Sequence, residues 1–102
     1  MPTAYVTAPP GAADDIAAAL VEERLAACVN RLDCRSTYRW EGEVFTNEAE
    51  VVLLAKTTAD RYAELRDRVL ELHPHDVPCV ERFDEADIHD DFADWRGKSI
   101  SP

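Results

Sequence analysis

Lysine is almost missing from this chain: Lys56 and Lys98 stand alone against nine arginines. Bases of either kind are outnumbered by acids, 11 to 21, which leaves a formal charge of −10 and a pI near 4.6. Binding to nucleic acid needs clustered Lys and Arg that release counterions, so this balance argues against a phosphate backbone as partner and, for the same reason, against an anionic membrane. Cysteine is sparse and odd in number; Cys28, Cys34 and Cys79 contain no CxxC pair, so no disulfide framework is expected. No basic stretch followed by an apolar one opens the chain, and no run approaches the roughly 18 apolar residues of a membrane span. A reducing, cytoplasmic setting is the expectation. No nucleophile elbow with a Ser–His–Asp order is present either, so no catalytic residue is assigned and a non-enzymatic protein is expected.

What is there suffices for one modest core. A chain of 102 residues and 11.4 kDa folds to a surface of roughly 5,800 Å², about a third of that of its unfolded form. Residues 1–102 are therefore read as a single domain. With 46% hydrophobic residues the chain is too apolar for disorder, and with six prolines it is too interrupted for a long coiled coil. An acid-rich, Lys-poor surface suits a salt-adapted (halophilic) host, where self-repulsion is screened, although a GC-rich genome also displaces Lys codons.

The periodicities alternate between strand and helix. Thr3–Ala8 reads as a short strand stopped by Pro9-Pro10-Gly11, and Asp14 to about Ala27 as an amphipathic helix along Ile16 and Leu20. Cys28–Trp40 reads as a long strand, with a bulge at Asp33-Cys34-Arg35, turning at Glu41-Gly42. The return strand is clear from Glu50, where Val51–Ala55 is continuously apolar, and loosened at Thr46-Asn47-Glu48. Thr58 is the expected N-cap of a second helix from Ala59 to Leu72, ended by His73-Pro74. Val77–Phe83 reads as a fourth strand, and Ile88, Phe92 and Trp95 predict a short closing helix. The order β-α-β-β-α-β is the split βαβ arrangement of an α+β, ferredoxin-like sandwich. Right-handed crossovers put both helices on one face of its antiparallel sheet. The bare face then needs a cover, which a homo-oligomer supplies.

Five stretches, taken in order, resemble the CutA family of divalent-cation-tolerance proteins: Val6-Thr-Ala-Pro9, Leu25-Ala-Ala-Cys-Val-Asn30, Tyr38-Arg-Trp-Glu-Gly42, Leu54-Ala-Lys-Thr-Thr58 and Leu72-His-Pro-His-Asp-Val-Pro78. The resemblance runs from about residue 3 to residue 96. It implies a ferredoxin-like subunit in a tight homotrimer akin to that of the PII signalling proteins, which bind small effectors between subunits. It also implies a role in the response to metal ions and binding of copper or another divalent metal ion. His73 matches the family's His-Pro position, while the two other ligand positions of copper-binding members carry Leu72 and Val6 here. His75 and Cys79 stand where the family has Tyr and Glu, so His73, His75 and Cys79 form an HxHx₃C candidate metal cluster. Imidazoles with a thiolate suit Cu(I) or Zn(II). The bland alternative makes His73 a helix cap, His75 a solvated side chain and Cys79 a small apolar one. Tyr38, Trp40 and Glu41 at the hairpin tip are expected at the trimer interface, where Trp40 and Lys56 could line a cleft for a small effector. The third possibility is a purely structural, anchoring trimer. The acidic run from Asp84 to Asp94 lacks an EF-hand pattern and reads as a solvated face.

Overall fold

The computed structural model describes residues 1–101. Its elements are β1 (Pro2–Ala8), α1 (Pro10–Glu22), β2 (Cys28–Trp40), β3 (Glu43–Lys56), α2 (Tyr62–Leu72), β4 (Cys79–Asp84) and α3 (Asp90–Ile100). The four strands form one antiparallel sheet in the order β2-β3-β1-β4, the ferredoxin-like arrangement expected from the element order. Alternation along the strands decides the two faces. Ala4, Val6 and Ala8 of β1, with Val51, Leu53 and Ala55 of β3, are buried against Ile16 and Leu20 of α1 and Leu65 and Val69 of α2. The intervening residues Tyr5, Thr7, Val52 and Leu54 face the other way and are only half-buried.

Helix α1 begins four residues earlier than the periodicity implies. Pro10 takes its first position, where a missing N–H costs nothing and φ is already helical. The helix also ends earlier, at Glu22, because Arg24 turns left-handed at φ 58°. The Leu25 amide then bonds the Leu20 carbonyl at 2.9 Å and the Arg24 amide that of Val21 at 3.2 Å, a Schellman closure with arginine in the usual glycine place. Helix α2 starts at Tyr62 rather than Ala59. The Thr58 hydroxyl donates to the Asp60 carboxylate at 2.6 Å instead of capping a helix, and the Thr58 carbonyl accepts the Arg61 and Tyr62 amides. Strand β4 begins at Cys79, not Val77.

The hairpin of β2 and β3 outruns the rest of the sheet. Strand β1 reaches only Val51, so residues 43–50 of β3 pair with β2 alone as a two-stranded arm. The turn at its tip has positive φ at both Glu41 (49°) and Gly42 (81°), the mirror-image geometry that matches strand twist. Strand β3 is continuous where the sequence suggests loosening. The bulge lies there and not at Asp33–Arg35: register shifts between Ser36 and Tyr38, opposite a left-handed Asn47 at φ 55°. The arm stretches the molecule to 44 × 26 × 20 Å. Its radius of gyration is accordingly 14.2 Å, against about 13 Å for a compact chain of this length.

Helix α3 closes the opposite end through a different stripe from the expected one. Arg96 and Ile100 are buried, while Trp95 is 46% exposed beside Phe92. Turns of 3.6 residues put Phe92, Arg96 and Ile100 on one face.

Candidate functional site

Cross-strand partners share a face, so the register builds the open side of the sheet row by row. One row runs Cys79–Thr7–Val52–Leu32, the next Glu81–Tyr5–Leu54–Asn30. All three cysteines lie on this side, because Cys28 and Cys34 join it through Lys56 and Glu50. Where β1 ends, the hairpin arm on one side and the loop after α2 on the other enclose a groove of about 690 Å³. Tyr5 and Thr7 are among its lining residues, with Tyr38, Trp40, Phe45 and Glu50 from the hairpin and His75, Asp76, Cys79 and Glu81 from the loop and β4. The Tyr38 and Phe45 rings stack at 5.4 Å across the arm. No lysine or arginine lines the groove.

Burial raises the Tyr5 phenol above its ordinary range, and its acidic neighbours Cys79, Cys34, Glu81 and Glu50 add to the effect. The Cys79 thiol is also pushed up, first by burial, and it donates to Glu81 Oε1 at 3.4 Å. Both groups therefore stay protonated near neutral pH.

The two sets of residues singled out in the sequence are regrouped. Tyr38 and Trp40 from the cleft set, and His75 and Cys79 from the metal set, meet in this one groove. His73 turns away from it. The ring is 7% exposed, with Nε2 at 2.7 Å from the Thr7 carbonyl and Nδ1 accepting the His75 amide at 3.1 Å. These bonds assign the proton to Nε2 and occupy both nitrogens, so the ring is tied up as a tether between α2 and β1. Val6 is wholly buried and Leu72 packs against the core, which explains the apolar residues at those positions. Among the described residues no group of three or more His, Cys, Asp or Glu side chains is arranged to hold a metal ion. The HxHx₃C spacing therefore does not fit a preformed copper centre within one subunit.

Lys56 and Trp40 do not meet in one chain. Lys56 closes the base of β3 while Trp40 pairs with Glu43 at the tip, roughly 40 Å along the strand at about 3.3 Å per residue. Glu41 sits in the turn itself, exposed and outside the groove. The residues that sequence reasoning passed over are Tyr5, Phe45, Glu50, Asp76 and Glu81. Strand alternation from Cys79 would have found Glu81, but Glu50 and Asp76 are brought there only by pairing and by the loop.

The comparisons agree with this architecture. Residues 3–99 match the family model described as CutA1 divalent ion tolerance protein. The chain is 47% identical over 81 residues to the divalent-cation tolerance protein CutA of Thermus thermophilus, covering 78% of each chain. It is 40% identical over 83 residues to that of Pyrococcus horikoshii, covering 81% of this chain and 80% of the relative. Among solved structures, the PII-like protein CutA from Nostoc sp. PCC 7120 in apo form superposes with a TM-score of 0.94 at 33% identity, over 99% of this chain and 98% of that one. With its fold, its length and its sequence motifs all in register, the chain belongs to the CutA1 divalent ion tolerance family.

Proposed function

We propose that this chain acts in the response to divalent metal ions as a non-catalytic, self-associating binding protein of PII-like build. The groove beside the hairpin arm is its cation-facing site. The observation that carries this reading is the chemistry of the lining: three carboxylates (Glu50, Asp76, Glu81), an imidazole (His75) and a thiol (Cys79), with no Lys or Arg. Such a lining attracts cations and repels anions, which disfavours the second reading, a PII-like sensor of an anionic metabolite.

Copper or zinc would be bound as the ion sensed, at His75 and Cys79, the soft donors of the groove. Two donors are too few for a tight site. Self-association supplies the rest, because the open face and the two-stranded arm both seek a partner. An isolated two-stranded ribbon is marginal in water, and Leu32, Tyr38, Trp40 and Val44 are all more than 40% exposed in the single subunit. A homotrimer joined through this face would bring further copies of the donors together. The thiol must lose its proton to bind metal, so affinity rises with pH.

The test is copper and zinc content per chain after equilibrium dialysis in reducing buffer, for wild type, His75→Ala and Cys79→Ser, with the oligomer sized by light scattering. About one metal per chain, or one per three chains, lost in both variants supports the reading. Metal content unchanged in both, or none bound by the wild type, overturns it.

A further inference from the structure

Helix α3 buries only two of its 11 residues, Arg96 and Ile100. The core closes without either of them. Its buried side chains come from β1, α1, the segment after α1, β3 and α2, so the sandwich is complete before α3 is reached. Beside α3 the packing is open. A cleft of about 220 Å³ lies between Thr58, Asp60 and Arg61 ahead of α2 and Gly97, Ile100 and Ser101 at the end of α3.

The helix is also weak in itself. Gly97 sits in its interior, where glycine destabilises relative to alanine. Packing does not demand glycine there, since an added Cβ would meet nothing nearer than Met1 Cε at 3.8 Å. An isolated helix of this length is marginal in water, so α3 is helical only while docked.

Docking beyond Ile100 rests on a polar catch. Arg96 reaches the Glu85 carboxylate and the Pro2 and Thr57 carbonyls. Glu85 faces no other charged group; it also accepts from the Thr3 hydroxyl, and its amide donates to the Met1 carbonyl. The catch is incomplete, because Arg96 Nε and Glu85 Oε2 are buried without a protein partner. Buried polar atoms in that state favour exposure to water.

We propose that α3 is a clasp that opens on its own, residues 85–101 detaching while the sandwich stays folded, with the Glu85–Arg96 contact as its catch. Opening uncovers the Pro2 and Thr57 carbonyls at the ends of β1 and β3 and widens the cleft ahead of α2. The device goes beyond the metal reading and shares no residue with it.

The test is amide hydrogen exchange of the full chain at pH 7 and one protein concentration, in chelator-treated buffer. Amides of residues 94–100 should exchange at least about a hundredfold faster than those of β1 and β3, each relative to its unstructured rate. Glu85→Gln should speed the α3 amides about tenfold further, and Gly97→Ala should slow them about two- to fivefold. Asp84→Asn, which removes the neighbouring charge, should leave them unchanged. Val69→Ala, a cavity in the core, should speed the β1 and β3 amides about tenfold or more and leave those of α3 unchanged. The last variant is decisive, because a single cooperative unit would move both sets together. Three results would each overturn the proposal: α3 amides as protected as the core, whether by their own contacts or by a neighbouring copy; α3 and core accelerated alike by Val69→Ala; or α3 amides indifferent to both Glu85→Gln and Gly97→Ala.

Discussion

Arg96 donates from Nη1 to Glu85 Oε1 at 3.0 Å, joining the closing helix to the segment that follows β4. The same nitrogen lies 3.2 Å from the Pro2 carbonyl and 3.3 Å from that of Thr57, and Thr3 donates its hydroxyl to the same carboxylate oxygen. One buried guanidinium thus ties α3 to the start of β1 and the end of β3. Arg96 Nε and Glu85 Oε2 find no protein partner, so the pair is single-pronged rather than bidentate.

Burial raises the Glu85 carboxyl pKa, but the hydrogen bonds from Thr3 and Arg96 and the guanidinium charge outweigh it and hold the group below its ordinary range. A depressed folded value stabilises above the unfolded pKa of about 4.3 and loses that contribution as pH falls through the folded value. Wild-type melting temperature should therefore fall more steeply below about pH 4 than that of Glu85→Gln. Arg96→Met should cost about 2–4 kcal/mol at neutral pH, since it strands a partly buried carboxylate and two backbone carbonyls. Denaturant melts of the two variants between pH 3 and pH 7 check both statements.

His73→Ala should destabilise the fold without changing metal content. Its ring bridges the Thr7 carbonyl and the His75 amide, and removing two such bonds from a buried site costs about 2–3 kcal/mol. Chemical denaturation alongside metal analysis checks this; a stable variant that loses bound metal would restore His73 as a ligand.

Leu54→Arg should disperse the proposed homotrimer while leaving the subunit folded. Leu54 lies between Tyr5 and Asn30 on the open face, so a guanidinium there would be desolvated without a partner if copies meet through this surface. Sedimentation should show smaller particles with an unchanged far-ultraviolet spectrum. Unaltered assembly would move the interface elsewhere.

Low salt should weaken the proposed homotrimer. A formal charge of −10 per chain is screened at molar salt but acts across about 30 Å at 10 mM. Melting temperature is expected to fall as salt is dialysed away. Full stability retained at about 10 mM would remove the grounds for a salt-adapted surface.

Much of the fold is legible in the sequence because burial leaves a periodic mark. The continuous apolar run Val51–Ala55 identifies a central strand, although only Val51, Leu53 and Ala55 are fully buried and Val52 and Leu54 on the open face are half-buried, and Glu41-Gly42 identifies the turn. Element ends were less legible. Pro10 reads as a strand stop until its place at a helix start is seen, and Arg24 adopts a left-handed conformation that residue type does not announce. Arg96 gave no sign of burial, since its partners are carbonyls and a carboxylate far along the chain.

The site divides in the same way. The alternation of elements, the acidic balance and the family motifs can be read directly from the residues, because each is a local or additive property of them. Which motif residues meet depends on the folded chain. His73 and His75 are two positions apart, yet the first is tied to Thr7 and the second lines the groove. Glu50 and Glu81 are 31 positions apart (81 less 50), yet antiparallel pairing brings both to the cavity around Tyr5. Register and loop closure depend on contacts distant in sequence, and no local spacing encodes them.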